Sequence, residues 1–223
     1  MTAARTRRLA LALLLAPAVL LASAGGARAG DAEKATHDDL AATPQTSYEA
    51  RKGDVFLRQY QLGCLSQLTY LVGSQGKAAV IDPQRDVEHY VRDAKALGFE
   101  ITTVVLTHTN ADFVAGHTEL ARRVGAKVWI SAESGSSFPN EGLKDGTKIP
   151  LGAATLEAMA TPGHTLDSMT ILVHVPGVTP DPVWALTGDT LFVGGIGRPD
   201  LVGGDVGPVL LAGKAFESVR RLK

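Results

Sequence analysis

Three short segments constrain this 223-residue chain more than anything else in it, because each ends an apolar run with a residue that can bind a metal. They are Thr107-His108-Thr109-Asn110-Ala111-Asp112-Phe113, Thr161-Pro162-Gly163-His164-Thr165 and Thr187-Gly188-Asp189-Thr190. Val104-Val105-Leu106 runs into the first and Val183-Trp184-Ala185-Leu186 into the third, and both stretches read as strands. Side chains placed where strands give way to loops converge on one edge of a sheet, where the sites of layered α/β folds lie. A single histidine at a strand end is more often a hydrogen-bonded structural residue. The matching placement of all three segments is what argues for a shared site. Two histidines and one carboxylate cover one face of an octahedral ion and leave the opposite positions open, which suits a non-haem Fe(II) that holds a substrate and dioxygen together. His108, His164 and Asp189 are therefore the expected metal ligands, and iron oxygenase chemistry is the expectation.

The first segment continues through Val114-Ala115-Gly116-His117, and the third through Leu191-Phe192 to Gly197-Arg198-Pro199-Asp200-Leu201. Together these resemble the metallo-β-lactamase superfamily, whose mark is a T-H-x-H-x-D-H loop followed by separate histidine and aspartate ligands. They are more similar to its persulfide dioxygenases, with T-H-x-H-A-D-F-x-x-G-H and T-G-D-x-L-F…G-R-x-D-L, than to glyoxalase II. The likeness runs from about Phe56 to the C-terminus. It implies an α/β protein with an αββα sandwich, here apparently short at the C-terminus. It also implies one Fe(II) on His108, His164 and Asp189, with O2 as co-substrate and a glutathione-type persulfide oxidised to sulfite and thiol. Asp112 would orient a ligand or a water from beside the ion. Arg198 would either brace the loop after Asp189 by pairing with Asp200 or contact a substrate carboxylate.

The chain leaves the superfamily pattern at two places. Dinuclear zinc hydrolases use both histidines of H-x-H and the D-H pair, and here those positions read Asn110 and Asp112-Phe113. A neutral amide oxygen is a poor donor to a transition metal and a phenyl ring is none, so a second zinc has lost two nitrogen donors. Two other classes stay open: a zinc-dependent thioester hydrolase similar to glyoxalase II, and a degenerate, non-catalytic metal-binding member. His117 reads as a capping or packing residue and His89 as a solvated residue between Arg85 and Arg92. His174 and His37 have no role. Cys64 is the only cysteine, which excludes an intramolecular disulfide and reads as an inert thiol.

Arg5-Thr6-Arg7-Arg8, the apolar run from Leu9 to Ala24 and the small-x-small Ala27-Arg28-Ala29 read as a secretory signal over residues 1–29, with a periplasmic or secreted mature protein and no stable membrane anchor after cleavage. Residues 30–52 read as a mobile leader and 53–223 as the domain. With 22 basic and 23 acidic residues there is no cationic footprint for nucleic acid, so the expected partners are a small-molecule persulfide or thioester, with O2 for the oxygenase and a homo-oligomer as an open possibility. Strands are expected at Val55–Tyr60, Gln67–Val72, Ala78–Ile81, up to Leu106, Lys127–Ser131, Thr155–Met159, Met169–Val175 and Val183–Leu186. Helices are expected at Asp86–Leu97, His117–Val124 and from about Pro208.

Overall fold

The computed structural model describes residues 44–63, 66–109, 113–201 and 207–223. A seven-stranded sheet runs in sequence order through β1 (Gln45–Lys52), β2 (Val55–Leu62), β3 (Gln67–Ser74), β4 (Lys77–Ile81), β5 (Glu100–Val105), β6 (Lys127–Ser131) and β7 (Glu141–Leu143). Its first half is an antiparallel meander, and from β4 onward neighbouring strands are parallel. Parallel neighbours need a crossover. Helices α1 (Glu88–Ala96) and α2 (His117–Val124) supply the two that join β4 to β5 and β5 to β6. The smaller sheet, in the order β11 (Trp184–Leu186), β10 (Met169–His174), β9 (Ala154–Ala160) and β8 (Lys148–Leu151), is antiparallel throughout.

Two apolar layers follow from the period-2 patterning of the strands. Val55, Leu57, Val72, Ala79, Ile81 and Val105 face Leu156, Ala158, Ile171, Val173 and Leu186 between the sheets. Phe56, Leu71, Ala78, Val80 and Val104 point the other way, against Tyr90 and Ala94 of α1 and Leu120 of α2. Because alternate side chains of β4 serve opposite layers, the whole run Ala78–Ile81 is buried, as strands covered on both faces require. The last helix, α3 (Pro208–Leu222), buries Leu211, Ala215, Ser218 and Leu222, and Ser218 Oγ donates to the Pro162 carbonyl at 2.7 Å. The result is the expected α/β sandwich of two sheets with helices outside.

Three sequence expectations change. Gln45–Lys52, read as part of the leader, is an edge strand paired antiparallel with β2 through Lys52↔Val55 and Ala50↔Leu57. Six of its eight side chains are exposed, and only Tyr48 and Ala50 are partly buried, so the apolar pattern that would mark it is short. Strands β7 and β8 were not expected, being three and four residues long. His89 is buried rather than solvated: its ring lies 3.8 Å from that of Tyr90 and 5.3 Å from that of Tyr60, centroid to centroid. The charged neighbours Arg85 and Arg92 were misleading because β2 reaches the flank of α1 as well as its apolar face. The signal-peptide segment, His37, Cys64, Asn110 and Asp112 lie outside the described residues.

Candidate metal centre

The three expected ligands come together at one edge of the sandwich. His108 follows β5, His164 follows β9 and Asp189 sits in a short 3-10 turn, Gly188–Thr190, directly after β11. Each strand is held by its sheet, so each ligand is carried to the edge by a rigid element. Asp189 Oδ2 lies 3.9 Å from His108 Nε2 and 3.5 Å from His164 Nε2. The two imidazoles meet edge to face, 84° apart with centroids separated by 5.1 Å. One ligand atom from each residue lies within 4.8 Å of the others.

Both rings are oriented from behind. His164 Nδ1 faces the Arg198 carbonyl at 3.1 Å, and His108 Nδ1 faces Thr107 Oγ1 at 2.9 Å. When Asp82 is ionised, the Thr107 hydroxyl gives its one proton to Asp82 Oδ2 at 2.8 Å, so toward His108 it then accepts. In that state the network favours the His108 proton on Nδ1 and turns Nε2 toward Asp189, the arrangement by which outer partners hold a metal-binding imidazole. Asp82 closes this line from a buried position just after β4 and also accepts the Thr107 backbone N–H at 2.8 Å. Burial pushes its carboxyl up to about 7 against the lowering effect of the two Thr107 hydrogen bonds, with the Asp189 charge adding to the rise.

A second carboxylate ties the ligand loops together. Asp167 accepts from the Thr109 N–H at 2.9 Å and from the Thr109 hydroxyl at 3.1 Å, joining the loop after His164 to the loop after His108. Thr161 Oγ1 links Thr170 Oγ1 on β10 with Thr190 Oγ1 beside Asp189, at 3.1 and 2.9 Å. Glycine is demanded at two points. Gly188 has φ +48° and rests on the Thr107 side chain, where a Cβ would strike Oγ1. A Cβ on Gly197 would meet the Asp189 carbonyl and His164 Cβ. These contacts let the third ligand loop lie directly on the first two.

The donor set fits a divalent transition ion. Metal bonds of about 2.0–2.2 Å to imidazole nitrogen and carboxylate oxygen set such donors roughly 3–3.5 Å apart. The observed 3.5 and 3.9 Å are reached from there by small side-chain rotations. Among the described residues no other group of three histidine, cysteine or carboxylate side chains is assembled this way.

A model of the metallo-beta-lactamase superfamily matches residues 62–223. The chain belongs to this superfamily. A hydroxyacylglutathione hydrolase from Acidiphilium cryptum is 34% identical over 131 residues, 58% of this chain and 51% of that protein. The mitochondrial persulfide dioxygenase ETHE1 of Homo sapiens is also 34% identical, over 152 residues, 66% of this chain and 56% of its own length. Among solved structures, a metallo-beta-lactamase from Staphylococcus aureus superposes with a TM-score of 0.70 at 34% identity, covering 75% of this chain and 52% of that one. ETHE1 from Myxococcus xanthus follows at 0.65 and 30%, covering 74% and 68%. This chain thus spans about half the length of the Acidiphilium and human proteins. Relatives in the superfamily are enzymes of two kinds, dioxygenases and hydrolases, at like identity.

The other singled-out residues divide clearly. Of the two roles open to Arg198, the structure displays the brace: Nε and a terminal nitrogen donate to both oxygens of Asp200 at 3.1 and 2.7 Å. That pairing raises the guanidinium pKa and lowers that of the carboxyl. His117 starts α2 and packs on Phe138 with centroids 4.4 Å apart, away from the ligand set, and burial lowers its pKa. His174 pairs with Glu157 at 3.1 Å on the small sheet. Asp82, Thr107 and Asp167 were missed as contributors to the site. The available signal was a carboxylate closing the buried run Ala78–Ile81, and another three residues after His164.

Proposed function

We propose that this protein is a persulfide dioxygenase that uses a mononuclear non-haem Fe(II) on His108, His164 and Asp189. The observation that carries the reading is a His/His/Asp set, the one such group among the described residues, on a chain whose positions 110 and 113 are Asn and Phe, where a second zinc would need nitrogen donors. The overall reaction is RSSH + O2 + H2O → RSH + H2SO3, in which the persulfide gives four electrons to one dioxygen and the outer sulfur leaves as sulfite. When bound, the iron supplies open positions at which sulfur and dioxygen meet.

The chain's own residues hold three donors in place. Thr107 and the Arg198 carbonyl fix the imidazole rings, Asp167 keeps their loops in register, and Arg198 with Asp200 stiffens the loop over Asp189. Asp112 keeps its proposed role of orienting a water or a ligand beside the ion. The signal-like segment 1–29 goes with an exported, periplasmic or secreted enzyme, and the N-terminal residue of the protein recovered from periplasm tests that part of the proposal.

A zinc-dependent thioester hydrolase is the second reading, supported by hydroxyacylglutathione hydrolases that are as similar as the dioxygenases. One experiment separates the two: metal analysis of anaerobically purified protein, with oxygen uptake on glutathione persulfide and hydrolysis of a glutathione thioester measured side by side. Iron with oxygen uptake is expected. Zinc with oxygen-independent hydrolysis overturns the proposal, and neither activity points to a degenerate metal-binding member.

A further inference from the structure

Residues 160–163 lead from the end of β9 to His164, and the last helix grips this short stretch at three points. At residue 160 the N–H donates to Asp145 Oδ1 at 2.8 Å, and the carbonyl accepts from Arg221 of α3 at 2.9 Å. Arg221 also donates to both Asp145 oxygens at 3.0 Å, so the three residues form one clamp. The Pro162 carbonyl accepts from Ser218 Oγ at 2.7 Å. Gly163 lies on the helix itself, where a Cβ would come within 2.5 Å of Ala215 Cα and Cβ. Thr161, between these points, is held by the Ser168 carbonyl and by the hydroxyls of Thr170 and Thr190.

Ser218 is the telling residue. A serine inside a helix ordinarily points to solvent or bonds back to the carbonyl four residues earlier. Here the side chain is 3% exposed, and its proton crosses 56 residues of chain to a carbonyl two positions before His164. Contact with Ala215 stops the loop from moving toward the helix, and the donors Ser218 and Arg221 stop it from moving away. Resting on the reading of His164 as a metal ligand, we infer that α3 is the backing of the metal centre. Ser218 and Arg221 are positioning residues: they set where His164 stands relative to His108 and Asp189, without touching the ion.

The test uses the full chain loaded with cobalt, whose visible spectrum reports ligand geometry and needs no turnover. Ser218→Ala is expected to unfold cooperatively in urea, to bind cobalt about tenfold more weakly and to show an altered spectrum. Tenfold is the lower end of the effect of an outer partner, because Ser218 acts through the backbone and not on the ring. Ser218→Thr keeps the hydroxyl and should hold affinity and spectrum near wild type. Arg221→Met, at a half-exposed position, should weaken cobalt binding roughly threefold, the scale of an exposed ion pair, and shift the spectrum in the same direction. Contacts that served stability alone would lower the urea midpoint and leave affinity and spectrum unchanged in both Ser218→Ala and Arg221→Met, and that result overturns the inference. If Ser218→Ala does not fold, Arg221→Met decides. His164→Ala is measured beside them. Loss of cobalt there with unchanged α3 variants sinks the inference and keeps the ligand reading, whereas wild-type cobalt binding in His164→Ala overturns the ligand reading and the inference with it.

Discussion

Replacing Thr107 by valine keeps the shape of a fully buried side chain and removes only its hydroxyl. Two hydrogen bonds go with it: the 2.8 Å bond donated to Asp82 Oδ2 and the 2.9 Å bond that orients His108 Nδ1. The backbone bond from Thr107 N to Asp82 Oδ1 remains, so Asp82 keeps one donor and the loop keeps its path. Each buried polar group left without its partner costs about 1–3 kcal/mol. The two losses share one network and do not simply add, which puts the expected destabilisation at roughly 3 kcal/mol. Losing the Thr107 contact behind the His108 ring should also weaken metal binding by about 10–100-fold, the usual effect of removing a partner behind a ligating histidine. Urea unfolding of the apo-protein gives the first quantity, and competition for cobalt or zinc against a chromophoric chelator gives the second. Thr107→Ser keeps the hydroxyl and loses one methyl group, about 0.8 kcal/mol, so it should retain near wild-type metal affinity. A valine variant that matches wild type in both assays to within about 0.5 kcal/mol, roughly twofold in affinity and the ordinary scatter of a silent substitution, would refute the hydroxyl line from Asp82 through Thr107 to His108 as the device that orients the ring.

His108→Ala, His164→Ala and Asp189→Ala should each abolish stoichiometric metal binding in elemental analysis, since two remaining protein donors hold a labile divalent ion poorly; full occupancy in any one removes that residue from the ligand set. Asp167→Asn should leave metal bound but reduce its affinity by about tenfold, because the link from the His164 loop to the Thr109 N–H and hydroxyl is weakened; unchanged affinity in the chelator assay means that the loops are aligned without it. His89 sets a pH test. Burial holds its folded-state pKa below 6.5, so the unfolded chain takes up the proton first, and the stability tied to the neutral ring is present above pH 6.5 and lost as pH falls toward the folded value. His89→Phe should therefore flatten the fall in urea midpoint between about pH 6.5 and 5. An equally steep fall in the variant shows that other groups govern acid stability.

What could be read from the residues was whatever is local. His108, His164 and Asp189 each stand at the end of an apolar run, and a strand followed by a polar loop is a local event that composition and period-2 patterning report. The same holds for α1, α2 and the start of α3, marked by helical spacing, Gly98, Gly125 and Pro208. The edge strand Gln45–Lys52 escaped because its partner lies on one side only and just Tyr48 and Ala50 turn partly inward, an alternation too short to stand out. His89 was misread for a related reason: beside its helical neighbour Tyr90 it packs on Tyr60 of β2, 29 residues away in the chain. Tertiary structure alone decided that Asp82 reaches Thr107 across 25 residues and that Asp167 reaches Thr109 across 58. Hydrogen bonds of about 2.8 Å depend on positions set by sheet register and loop packing together, and no window of sequence contains both partners.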